Sequence, residues 1–142
     1  MTKPNKNSTW IIAITVALVT ALMVTTVALA SSYTSTLSFN SSLTGQARYY
    51  DGNAITISIT AKCPTCARPA IADQRYRVTL QKQSCGWFSC SWTDKATYYF
   101  PVNGYNSATW GGVGSGTYRF YFYKVASDRA NITSSDVKMS SK

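Results

Sequence analysis

Residues 75–100 read RYRVTLQKQSCGWFSCSWTDKATYYF, two alternating strands around a short cysteine-flanked loop. Tyr76, Val78 and Leu80 share one parity, and Arg75, Arg77, Thr79 and Gln81 share the other. That period of two marks a strand with one buried face. The returning segment places Ala96, Tyr98 and Phe100 on a core face in the same way. Between the strands, Cys85 and Cys90 enclose Gly86, Trp87, Phe88 and Ser89. Oxidation would tie the loop at its base and hold two large aromatics at a surface tip, which is a contact surface.

Outward from this hairpin the same grammar repeats. Tyr33, Leu37 and Phe39 alternate with Thr34, Thr36 and Ser38 in a first strand, which polar residues and Gly45 end. Tyr49 to Asn53 reads as a turn, because Asp51-Gly52 favours the positive φ that tight turns need. Ile55, Ile57, Ile59 and Ala61 alternate with Thr56, Ser58, Thr60 and Lys62 in the cleanest strand of the chain, which Cys63-Pro64-Thr65-Cys66 closes. A loop through Pro69 to Asp73 leads into the hairpin. After a turn at residues 101–106 comes a short strand around Thr109-Trp110. Glycines at 111, 112, 114 and 116 then precede a strand whose Tyr118, Phe120 and Phe122 fit the core, leaving Arg119, Tyr121 and Tyr123 outward. Asp128 to Asn131 turns again, and Ile132 to Met139 forms the last strand. The glycine cluster lacks the Gly-Lys-Ser/Thr ending of a phosphate loop. Seven or so short strands without a helical period predict an all-β chain, a single antiparallel β-sandwich of immunoglobulin-like or jelly-roll type.

The first thirty residues read as an export signal. Lys3 and Lys6 precede the uncharged residues 10–30, and Ala28-Leu29-Ala30 supplies the small residues of a cleavage site. Cleavage after Ala30 is the expectation. The competing reading is an uncleaved signal anchor, since about twenty uncharged residues suffice to cross a bilayer as a helix. Export leaves residues 31–142 as one β-sandwich domain, secreted or on the extracellular face of the cell envelope. Without Lys3 and Lys6, 12 of the 14 cations remain against five aspartates, about +7. Such a surface attracts anionic polymers.

Four cysteines, spaced Cys63-x2-Cys66 and Cys85-x4-Cys90, could form a zinc ribbon, a redox dithiol or disulfides. Export to an oxidising compartment argues against zinc-thiolate, so no metal and no other cofactor is expected. A dithiol of thioredoxin type needs a helix N-terminus, and here the motif follows a strand. Disulfides remain. If residues 55–62 and 76–83 are antiparallel neighbours, Cys63 and Cys66 lie at one end of the sheet and Cys85 and Cys90 at the other, roughly 25 Å apart at ~3.3 Å per residue. A bridge tolerates ~7 Å between Cα atoms, so Cys63 pairs with Cys66 and Cys85 with Cys90. Parallel strands in opposite sheets would bring back cross-pairing.

With no histidine and no glutamate, serine triads, Cys-His pairs, His-metal centres and paired-glutamate sites are excluded together. The five aspartates sit in no catalytic motif, and the expectation is a chain that is not an enzyme. Binding is better supplied. Eighteen aromatics follow residue 30, and aromatic rings stack on sugars, membrane interfaces and bases. The candidate binding residues are Trp87 and Phe88 at the tip, Arg75 and Arg77 on the outward face of one strand, and Arg119, Tyr121 and Tyr123 on that of another. The expected partner is an anionic cell-wall polymer or glycan, with an anionic membrane surface as a second. Nucleic acid is not expected, because export removes it. Two rival classes remain: a membrane-active toxin or bacteriocin-like effector, and a structural subunit that self-associates through an open sheet edge.

The run Trp110-Gly-Gly-Val-Gly-Ser-Gly-Thr-Tyr-Arg-Phe-Tyr-Phe-Tyr-Lys124, followed by a turn and a last strand, resembles the C-terminal half of small secreted β-sandwich proteins of Gram-positive bacteria. The resemblance implies the sandwich fold and transfers no functional residue.

Overall fold

The computed structural model describes residues 31–66, 74–124 and 131–142. The expected export segment, the loop from Pro69 to Asp73 and the turn at Asp128 lie outside the described residues. Nine strands run through them: β1 (Ser32–Phe39), β2 (Ser42–Thr44), β3 (Arg48–Tyr50), β4 (Ala54–Ala61), β5 (Arg75–Cys85), β6 (Cys90–Pro101), β7 (Gly104–Gly111), β8 (Gly116–Tyr123) and β9 (Ile132–Ser141). They form two antiparallel sheets, β1-β9-β4-β7 and β2-β8-β5-β6, with β3 also pairing on β8. The chain is an antiparallel β-sandwich.

Alternation builds the core. In β4, Ile55, Ile57, Ile59 and Ala61 are buried while every second residue between them is only half-buried. Tyr76, Val78 and Leu80 of β5 and Tyr118, Phe120 and Phe122 of β8 face them from the other sheet, as their parity predicts. Aromatic rings fill the space between: Phe39 packs edge-on against Tyr76 at 5.7 Å, Tyr76 against Phe100 at 5.8 Å and Trp110 against Phe120 at 5.5 Å. Each such contact adds about 0.5–1.5 kcal/mol beyond the area it buries.

Four expectations need correction. The turn expected at residues 101–106 is only Val102-Asn103, because β6 runs to Pro101 and β7 starts at Gly104. Tyr49 and Tyr50 belong to β3, and Tyr50 is buried against Tyr118 at 6.3 Å; only residues 51–53 turn. The polar segment after β1 carries the three-residue strand β2, which pairs with β8. Ala96 and Tyr98 point toward the core side but stay exposed, because β6 is an edge strand. Tyr98 covers the rim of Trp110 at 4.9 Å and donates to the Thr109 carbonyl.

The premise behind the cysteine pairing also fails, though the pairing stands. β4 and β5 lie in opposite sheets. The backbone N–H of Cys63 donates to Asn103 Oδ1 at 2.8 Å, and that of Val102 to the Gln74 carbonyl at 3.2 Å, so the end of β4 meets the start of β5. The two strands thus run in opposite senses across the sandwich. Cys63–Cys66 sits at one pole and Cys85–Cys90 at the other, each pair joined as a disulfide with Cα atoms 5.2 and 3.9 Å apart. The pole of Cys85–Cys90 also gathers Ser31, which accepts from the Ser141 N–H, and Lys142, whose carbonyl accepts from Asn53 and Ala54.

Candidate functional site

The outward face of the sheet β8-β5-β6 brings together most of the expected binding residues. Residues directly opposite one another in an antiparallel ladder point to the same side. Arg77 of β5 lies opposite Tyr123 of β8 and Tyr99 of β6, and its guanidinium carbon stands 5.8 and 5.6 Å from the two ring centres. One row further along, Thr79 lies between Tyr121 and Thr97. The two threonine hydroxyls hydrogen-bond at 2.7 Å, and Thr79 is buried although it faces outward. Tyr121 and Tyr123 lie nearly parallel, 6.5 Å apart. The result is a groove of about 230 Å³ with the threonine pair as floor and Arg77, Tyr99, Tyr121, Tyr123 and Asp94 as walls.

The next row continues the face. Gln81 lies opposite both Arg119 and Asp94. It accepts from Arg119 Nε at 2.7 Å and donates through its own amide to Asp94 Oδ1 at 2.7 Å. The Arg119 guanidinium carbon stands 4.0 Å from the ring centre of Trp92. Stacking occupies the flat face of a guanidinium and leaves its in-plane N–H groups as the means of contact with an oxyanion. The face therefore alternates cation and ring: Tyr123, Arg77 and Tyr99 in one row, then Arg119 two rows on, with Trp92 one row beyond it.

Sequence reasoning missed Tyr99, Trp92 and Asp94 as members of this face, and placed Gln81 on it by parity without counting it among the candidate binding residues. Tyr99 was within reach, since it has the parity opposite to Phe100. Trp92 was not. Thr79 pairs with Thr97 but Gln81 pairs with Asp94, so two residues of β6, Lys95 and Ala96, answer one of β5, Leu80. That β-bulge at Lys95-Ala96 reverses the parity of β6. Above it even-numbered residues face the core; below it Asp94 and Trp92 face outward.

The remaining expected residues stand apart. Arg75 is exposed at the far end of β5, opposite Pro101. Trp87 and Phe88 are 97% and 101% exposed at the hairpin tip. The last β5 residue paired with β8 is Lys82, after which the pairs Gln83–Trp92, Ser84–Ser91 and Cys85–Cys90 continue as a two-stranded ribbon, ~10 Å long at ~3.4 Å per pair. Tip and groove are two places on the molecule.

Among the described residues no three His, Cys, Asp or Glu side chains gather as a metal site. A wider depression of about 490 Å³ on the other sheet is lined by residues such as Thr60, Lys62, Thr133 and Asp136 and contains no aromatic ring.

No family model matches the chain, and no curated protein matches it. Among solved structures it is similar to one described as "Family 16 Carbohydrate Binding Module-2", with a TM-score of 0.44 and 10% identity over 75% of this chain and 74% of that chain. A likeness at that level bears on neither family nor ligand.

Proposed function

We propose that this chain is an exported, non-enzymatic binding module that holds an anionic cell-wall polymer or glycan along the outward face of β8-β5-β6. One observation carries the reading: Arg77 sits between Tyr99 and Tyr123 in an open groove, with a second stacked pair, Arg119 and Trp92, in line with it. At about 230 Å³ the groove is smaller than the ~300–1,000 Å³ of sites that enclose a small molecule. It suits a chain that runs across it, whose rings lie on tyrosine faces and whose charged groups meet the arginines. Phosphate- or carboxylate-bearing polymers match this chemistry, because guanidinium donors bind both in a bidentate manner.

Co-sedimentation with purified cell-wall sacculi, with and without their anionic polymers, tests the reading. Binding is expected to weaken as salt rises, since exposed charges are screened. Arg77→Ala and Tyr121→Ala are each expected to weaken it about tenfold, a change of ~1.4 kcal/mol. Binding that survives both substitutions unchanged would remove the groove from the explanation.

A further inference from the structure

We propose that the disulfide-closed tip is a membrane anchor, with Trp87 and Phe88 seated at the interface of a bilayer containing anionic lipid. The proposal shares Arg119 with the polymer-binding face and otherwise rests on different residues. Two adjacent aromatics with essentially their whole surface in water are costly to leave there, because burial of a large apolar side chain is favourable. They occupy no pocket of their own molecule. Their ribbon carries them past the end of the sandwich, and the Cys85–Cys90 bridge, with the Gly86 N–H donating to the Ser89 carbonyl, holds the turn closed.

Three further observations select a bilayer as the occupant. Residues 83–93 contain no charged side chain, so the tip can enter an interface without desolvating an ion. Tryptophan in particular favours the headgroup level. Behind this neutral cap stands a group of cations: Lys82 on β5, Lys95 at the bulge of β6, and Arg119 on β8, one ladder row from Lys82. Asp94 is the one acid in the same rows. The row of Gln81 and Asp94 lies four pairs behind the disulfide, ~14 Å at ~3.4 Å each. With the rings in the headgroup boundary and the disulfide behind them at its surface, these cations stand ~10–14 Å from it along the ribbon, between one and two Debye lengths of ~8 Å at physiological ionic strength.

The third observation is where the chain enters the domain. Ser31 lies at the same pole as the tip, and residues 10–30, the uncharged run, directly precede it in the sequence. If that run is retained as an anchor, the bilayer it crosses faces the tip. If it is removed, a new α-amino cation replaces it at that pole. Both cases place the tip toward an anionic surface, and stable attachment of a peripheral protein generally takes two such signals.

The test uses the full chain with vesicles of phosphatidylglycerol and phosphatidylcholine whose acyl chains are brominated. The difference in emission between the wild type and Trp87→Phe isolates Trp87 from Trp10, Trp92 and Trp110, and phenylalanine keeps the site apolar. That difference emission is expected to move to shorter wavelength and to lose most of its intensity to the bromines. It is expected to do so far less in pure phosphatidylcholine; equal quenching there would overturn the role given to the cations. An emission that stays at its water-exposed wavelength in both vesicles would overturn the proposal. So would one that responds to sacculi and not to vesicles, which would assign the tip to wall polymer. Because Arg77 and Tyr121 lie far from the tip, their alanine variants are expected to keep the Trp87 response even if polymer binding is lost. The two readings can therefore fail separately.

Discussion

Gly52 has φ of +136°, and a Cβ built there would lie 2.5 Å from the carbonyl oxygen of Lys142. That oxygen already accepts from the N–H groups of Asn53 and Ala54, so it is not free to move. Gly52→Ala is expected to cost about 2 kcal/mol, within the range for a strained backbone position, read as a lower urea midpoint in equilibrium unfolding. Asp51-Gly52 was legible as a turn because only residue type is needed to see it. Which neighbour crowds the glycine was not, since Lys142 is distant in sequence. Trp92 makes the same point for the site. Parity alone put Arg77 on the outward side of its strand and Arg119, Tyr121 and Tyr123 on the outward side of theirs, and the β5–β8 pairing makes these one face; Trp92 joins them through an extra backbone residue that leaves no mark in the pattern of apolar side chains.

That bulge sets the sharpest expectation for an element. Removing one residue from a strand ordinarily sends every side chain beyond it to the opposite face. Deleting Lys95 should not, because the ladder then closes with Ala96 opposite Leu80 while Thr97 stays opposite Thr79 and Asp94 opposite Gln81. The shortened protein is expected to fold with its melting temperature nearly unchanged, whereas deleting Tyr98 should abolish cooperative melting. A thermal scan of both variants decides it, and failure of the Lys95 deletion would show that the twist supplied by the bulge is needed. Among elements, β4, β5 and β8 were legible, β2 and β3 were not, and the first residues of the eight-residue β7 were read as a turn. β4, β5 and β8 each repeat the two-residue period for several turns of the pleat. β2 and β3 have three residues apiece and exist because β8 offers them an edge. The assignment of strands to sheets was equally out of reach, since period two says that a face is buried and not against what.

Across the whole molecule, the tyrosine-rich core predicts how stability responds to alkali. Burial pushes the phenols of Tyr50 and Tyr76 up from their ordinary value of 10.0; Arg48 opposes the shift at Tyr50 and Tyr33 adds to it. In the unfolded chain both phenols lose their protons near pH 10, while the folded chain holds them. The unfolded state then binds fewer protons, so stability is intact below about pH 10 and falls above it, by up to ~1.4 kcal/mol per pH unit for each tyrosine. Tyr76 Oη has no hydrogen-bond partner among the described residues. Tyr76→Phe should therefore cost little at neutral pH and halve the alkaline loss, measured as urea midpoints from about pH 9 to about pH 12, the range that brackets phenol ionisation. An unchanged alkaline slope in that variant would place the titrating group elsewhere. At this scale the sequence was most informative about class: period-two strands, turn residues and paired cysteines agree on an antiparallel sandwich, and the structure bears that out.

The pairing of β1 with β9 has a mechanical consequence. The strands are antiparallel, with Ser32 opposite Ser140 at the pole where Ser31 and Lys142 meet. Tension applied between the two ends of the domain thus acts across the first rung of that ladder, and the hydrogen bonds break in succession, as in a zipper. A shear geometry would load them together. Neither disulfide bridges β1 to β9, so nothing covalent arrests the tear once it starts. Pulled at both ends, the sandwich yields at low force; pulled between its hairpin tip and Ser31, the load instead crosses the packed core between the two sheets.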